Sequence, residues 1–289
     1  PMPALSALVL WRDRAGRFSR PRLVTLALLL TPLLWLGWRT ATGDLGPKPW
    51  TEALRFCGDR AIETLLAAIA ISPLRRLSGF AGLIDVRRMI GVASFLWVML
   101  HVLLQIVDQG GDLAKLATEI AIRPWLTIGF IAFVGLAALA ATSTDGAIRR
   151  LGAPRWRRLH GLVHPIVGLG LLHFLLQIRL DPFWVALAAG TTAGILATRV
   201  ALAHGRGAAA AIAAAVPSAW IGAAAVEVLW FAVKTRRPIL PIALANFEVD
   251  FSIAPSWWTA ALVLAICAPA AAWRMRDLRS PRREVAART

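Results

Sequence analysis

The chain is a succession of apolar runs separated by short loops rich in arginine. Several of these runs approach the roughly 20 residues that carry one helix across a bilayer. Within lipid every backbone polar group needs an internal partner, so runs of this kind fold as helices. A hydrophobic share of 58% and a mean hydropathy of +0.64 exceed what soluble domains carry. The expected fold class is an all-α polytopic membrane protein with eight spanning helices.

The charge of +16 would suggest nucleic acid in a soluble protein. Here the arginines sit between apolar runs, where they set orientation, so no nucleic-acid partner is expected and membrane lipids are the surroundings. Cys57 lies toward the end of a loop and Cys267 deep in the last apolar run. A disulfide between them is not expected, and no CxxC or Cys/His cluster suggests zinc or iron–sulfur.

Residues 1–22 read as a basic arm. Helices are expected at about 23–38, 58–74, 88–107, 124–141, 157–178, 183–200, 208–233 and 255–273. The first lacks a small-residue cleavage site and reads as a retained helix. Residues 23–201 form a six-helix domain and 202–273 a two-helix extension, which opens with an alanine-rich run, Ala208–Ala215. An arginine-rich tail over 274–289 reads as disordered. Lys and Arg divide 22 to 9 between the two sides, which places both termini in the cytoplasm. Lys234, Arg236 and Arg237 fall on the other side and are the exception.

Two of the runs share a design. Arg87–Val107 and Arg157–Ile178 each open on two arginines and then bury histidine among apolar residues. Imidazoles inside apolar helices are costly and usually mark function. His101 stands 13 residues beyond Arg88 and His173 stands 15 beyond Arg158, so both lie roughly 20 Å from the arginines. Matched depth on two helices suits axial ligation of one haem. His160 sits on the first turn of its helix, at the cytoplasmic end, and Arg87 stands at the same depth. His160 could bind a second haem or mark where electrons enter. Thirteen residues put His160 and His173 roughly 140° apart on an ideal helix. Pro165 is expected to kink that helix, and Gly161, Gly168 and Gly170 would let a flat macrocycle approach. His164 shares the face of His160. It reads as a hydrogen-bonded interior histidine, with iron ligation as the alternative. His204 reads as a solvated loop residue.

Four segments carry a family resemblance: RRMIGVASFLWVMLH, DQGGDLAKLATEIAIRPWLTIGF, ALAATSTDGAIRRLGAPRWRRLHGLV and LLHFLLQIRLD. They resemble the haem-binding membrane subunits of bacterial periplasmic methionine-sulfoxide reductase systems, the MsrQ (YedZ) family of the ferric-reductase-like transmembrane superfamily. The resemblance covers about 75–182 and, more faintly, 22–74. It implies axial ligation by His101 and His173 and a second haem-associated histidine at His160. It implies one or two b-type haems, while the arginine-rich cytoplasmic loops could dock a reductase, FMN or a quinone. It also implies an inner-membrane protein that delivers electrons to a periplasmic molybdopterin-containing reductase. The chain departs from that pattern in its extra residues after about 205 and in His164, which stands where an aromatic is common. No GxGxxG, Walker lysine motif or soluble flavin domain is present. The donor would therefore be a separate cytoplasmic flavin reductase or the quinol pool. A ferric- or quinone-reducing cytochrome b, and a non-haem transporter or scaffold, stand as alternatives.

Overall fold

The computed structural model describes residues 11–12, 16–250 and 252–278. Much of the expected basic arm, and the tail beyond Leu278, lie outside the described residues. Apart from one isolated bridge between Arg12 and Phe18, the described residues form helices and their connections. The helices are α1 (Arg20–Ala41), α2 (Pro49–Ser78), α3 (Leu83–Asp108), α4 (Leu113–Ile122), α5 (Pro124–Ala141), α6 (Asp145–Leu151), α7 (Ala153–Gly161), α8 (Val163–Gln177), α9 (Phe183–Ala203), α10 (Ala208–Thr235), α11 (Ile239–Ala245) and α12 (Pro255–Leu278).

Among the described residues seven spans are long and apolar enough to cross a membrane: α1, α3, α5, α7 with α8, α9, α10 and α12. This is a multi-pass membrane protein. The eighth expected span, α2, forms as a helix of 30 residues. It falls short on composition because Asp59, Arg60 and Glu63 lie along it. Arg60 pairs with Glu63, and its guanidinium sits 5.1 Å from the centre of the Phe56 ring.

Several boundaries differ from the sequence reading. Residues 49–56, expected as loop, belong to α2, so Cys57 is a buried helical residue. Pro49 starts the helix where its missing N–H costs nothing. The loop after α3 holds α4, capped by the Asp112 carboxylate, which accepts from the Lys115 N–H at 2.8 Å. The arginine loop after α5 holds α6, capped by Thr144 at 3.1 Å from the Ala147 N–H. The last helix runs through Arg274 to Leu278, so the tail begins later than expected.

The largest difference concerns 157–178. It is two helices, with the break at Leu162. Pro165 cannot donate to the carbonyl of Gly161, and its ring crowds that oxygen. The Leu162 N–H bonds instead to Leu159, one residue short of the α pattern.

The chain divides into two compact units. One takes the residues up to Ile69 together with Ile84–Leu176; the other takes Ala70–Leu83 and Gln177 onward. In the first unit, Leu36, Leu45, Ala53, Cys57, Ala61 and Trp97 make a core between α1, α2 and α3. In the second, α9, α10 and α12 pack through small residues. Ala211, Ala215, Ala219 and Ala223 recur every fourth position on α10 and are fully buried. A methyl group added at Gly190 of α9 would stand 2.5 Å from the Ala219 carbonyl. Small faces of this kind let helix backbones approach closely without a hydrophobic driving force.

Candidate functional site

His101 projects from α3 toward α2. Its Nδ1–H donates to the carbonyl of Leu54 at 2.9 Å. That carbonyl lies one turn before Gly58, and a methyl group at Gly58 would stand 3.1 Å from the same nitrogen. His173 of α8 repeats the arrangement against α5. Its Nδ1–H donates to the Trp125 carbonyl at 2.7 Å, and a methyl at Gly129, one turn on, would stand only 2.6 Å away. In both cases a glycine four residues after the acceptor opens the helix surface to the ring.

A carbonyl only accepts, so each Nδ1 carries a proton, and in the neutral ring Nε2 is then the nitrogen with the lone pair. The two rings face each other with centres 6.5 Å apart and planes at 88°. A gap of that size would suit one iron atom held by one nitrogen of each ring. The described residues contain no group of three His, Cys, Asp or Glu that could hold a metal ion. Two imidazoles from different helices, each oriented by a backbone acceptor, would suit a haem held between them.

The other three histidines lie elsewhere. His160, on α7, makes a hydrogen bond between Nε2 and the Thr142 hydroxyl at 3.1 Å. Trp156 stacks on its ring with centres 3.9 Å apart, and the indole N–H donates to the Thr142 carbonyl at 3.0 Å. Thr142 is the last-turn cap of α5. His160 and His173 therefore both bond to α5, at its opposite ends, about 26 Å apart along its axis. An ideal helix would turn the two histidines apart, and the interruption at Leu162 lies between them. The charges of Arg87 and Arg88 reach the His160 ring, and Arg88 pairs with Asp145 of α6 at 2.8 Å. His164 stands half-buried on the first turn of α8, across the break from His160. Exposed His204 bonds its Nδ1 to the Val200 carbonyl at 2.9 Å. Of the three glycines expected to admit a macrocycle, Gly161 and Gly168 face open space and Gly170 abuts Ile62. Sequence reading missed the carbonyls of Leu54 and Trp125, and the parts played by Gly58, Gly129, Thr142 and Trp156.

Residues 57–171 match the family described as the ferric reductase like transmembrane component. That stretch includes His101, His160 and His164 and stops two residues short of His173. The protein-methionine-sulfoxide reductase heme-binding subunit MsrQ of Rhodospirillum rubrum is 40% identical over 190 residues, which is 65% of this chain and 89% of that protein. The chain belongs to the MsrQ family. MsrQ of Ralstonia nicotianae is 42% identical over 154 residues, 53% of this chain and 71% of that protein. MsrQ of Polaromonas naphthalenivorans is 40% identical over 157 residues, 54% of this chain and 71% of that protein. The Rhodospirillum match takes most of that MsrQ but only two thirds of this chain, so a long segment here has no counterpart in it. No solved structure matches the chain.

Proposed function

We propose that this chain is an inner-membrane electron-transfer subunit that holds one b-type haem between His101 and His173. It serves a periplasmic molybdopterin-containing reductase that returns oxidised methionine to methionine. One observation carries the reading: each of two facing imidazoles has its Nδ1 fixed on a backbone carbonyl, with its Nε2 left as the donor. The MsrQ relatives support it, since their name joins haem binding to methionine-sulfoxide reduction. When bound, haem supplies one-electron chemistry at its iron. The chain's own residues orient the ligands and surround them with apolar helices.

The arginine-rich end around His160 is read as the side where electrons enter, from a cytoplasmic flavin reductase or a quinol. Nε2 of His160 is already engaged by Thr142, and Trp156 covers a face of its ring. This favours a contact role over iron ligation. A guanidinium such as Arg87 suits a propionate or a flavin phosphate. The absorption spectrum of the purified membrane protein tests the reading. The wild type should show a low-spin haem, and His101→Ala and His173→Ala should each abolish that absorbance. Full haem retention in both variants would sink it.

A further inference from the structure

The connection from α10 to α12 is built around one buried asparagine, Asn246. Thr235 ends α10, and Arg236 turns the chain with φ +53°, the one positive φ among the described non-glycine residues. Lys234, Arg236 and Arg237 are all exposed, and none makes an ion pair among the described residues. Glu248 and Asp250, also exposed, lie further along the connection and do not pair with them.

The short helix α11 follows and is fastened at its end by Asn246, which is 1% exposed. The Asn246 amide donates to the Glu227 carboxylate of α10 at 2.9 Å and to the Ile242 carbonyl at 3.3 Å. Its own carbonyl accepts from the Trp257 indole N–H of α12 at 2.9 Å. Phe247 packs on Trp220 with ring centres 4.7 Å apart. One buried residue thus ties α10, α11 and α12 together.

Fixed in this way, the strap turns apolar side chains outward. Ile239, Leu240, Leu244, Phe247 and Val249 are each more than half exposed. Exposed apolar surface of this kind marks contact with a protein or a membrane. The strap joins two membrane spans, so it lies where they meet the lipid–water boundary. Exposed Trp257 and Trp258, at the start of α12, are the aromatic residues that favour that depth. Basic residues beside an apolar helix are the composition of a segment lying in the headgroup region.

We propose that residues 234–249 form an interfacial strap that binds anionic phospholipid, with its apolar side chains among the acyl chains. Lys234, Arg236 and Arg237 would hold the headgroup phosphate. This proposal is independent of the haem reading. It also gives a physical reason for basic residues on the side where the charge asymmetry expects few.

The full chain, purified in a mild detergent, would be examined by native mass spectrometry against phosphatidylglycerol and phosphatidylcholine. The wild type should retain phosphatidylglycerol roughly tenfold over phosphatidylcholine, given the attraction of clustered cations to anionic headgroups. The triple variant Lys234→Gln, Arg236→Gln, Arg237→Gln should bind the two lipids alike. An unchanged preference in that variant, or no preference in the wild type, overturns the proposal. A photo-crosslinking amino acid at Leu244, with the cations intact, gives a second readout in native membranes. Lipid adducts are expected, and capture of a protein chain as the main product overturns the proposal.

Discussion

Gly129 is the position where the least change should do the most damage. Alanine there would put a methyl 2.6 Å from Nδ1 of His173, too close to be tolerated without moving the ring. The Gly129→Ala variant should bind added haem about 10–100-fold more weakly, the scale on which orienting partners of metal ligands act. Gly58→Ala should cost less, because the corresponding distance is 3.1 Å. Titrating haem into apo-protein checks both, and equal wild-type affinity in the two variants would contradict the role assigned to the glycines. His160→Ala should behave differently, keeping the haem spectrum while losing reduction by the physiological donor. Reduction at the wild-type rate would make His160 structural. The histidines were legible in the sequence because a basic ring in an apolar run is conspicuous. Their anchors were not, since a main-chain carbonyl is carried by every residue and has no letter. Gly58 and Gly129 were visible as letters, but only the packing of α2 on α3 and of α5 on α8 shows what they face.

At the scale of the element, apolar runs and arginine punctuation fixed where the long helices lie. They did not show the short helices α4, α6 and α11, whose residues read as loop. Pro165 announced a bend, and the helix is interrupted at Leu162, three residues before it. Composition also could not say which neighbour the small face of α10 meets. In the structure it meets Gly190 and Gly194 of α9. Gly190→Ala would drive a methyl against the Ala219 carbonyl, Thr259 and Ala223. Overpacking of this kind costs about 1–3 kcal/mol. It should lower the thermal midpoint of the purified protein while leaving the haem spectrum as it was. A midpoint equal to the wild type's would show that the α9–α10 contact yields easily.

For the whole molecule, counting α2 as an eighth crossing divides the basic residues 22 to 9 between the two sides, and on that count both termini are expected in the cytoplasm. A reporter fused after Arg283 should be active only when it works in the cytoplasm. Periplasmic activity would instead make Lys234–Arg237 an inside loop. The multi-pass helical class was legible from hydropathy alone, because the bilayer leaves so few alternatives. The grouping of α9 with α10 and α12 was not legible, because it depends on close contacts between alanines and glycines whose letters also suit lipid-facing positions. Within the unit that carries the histidines, α5 bonds His173 at its first turn and His160 at its last cap. It acts as a ruler with phase as well as length. One residue inserted between those ends would lengthen it by about 1.5 Å and rotate one end against the other by about 100°. The two contacts could not both survive, so the middle of α5 should accept substitutions far more readily than insertions or deletions.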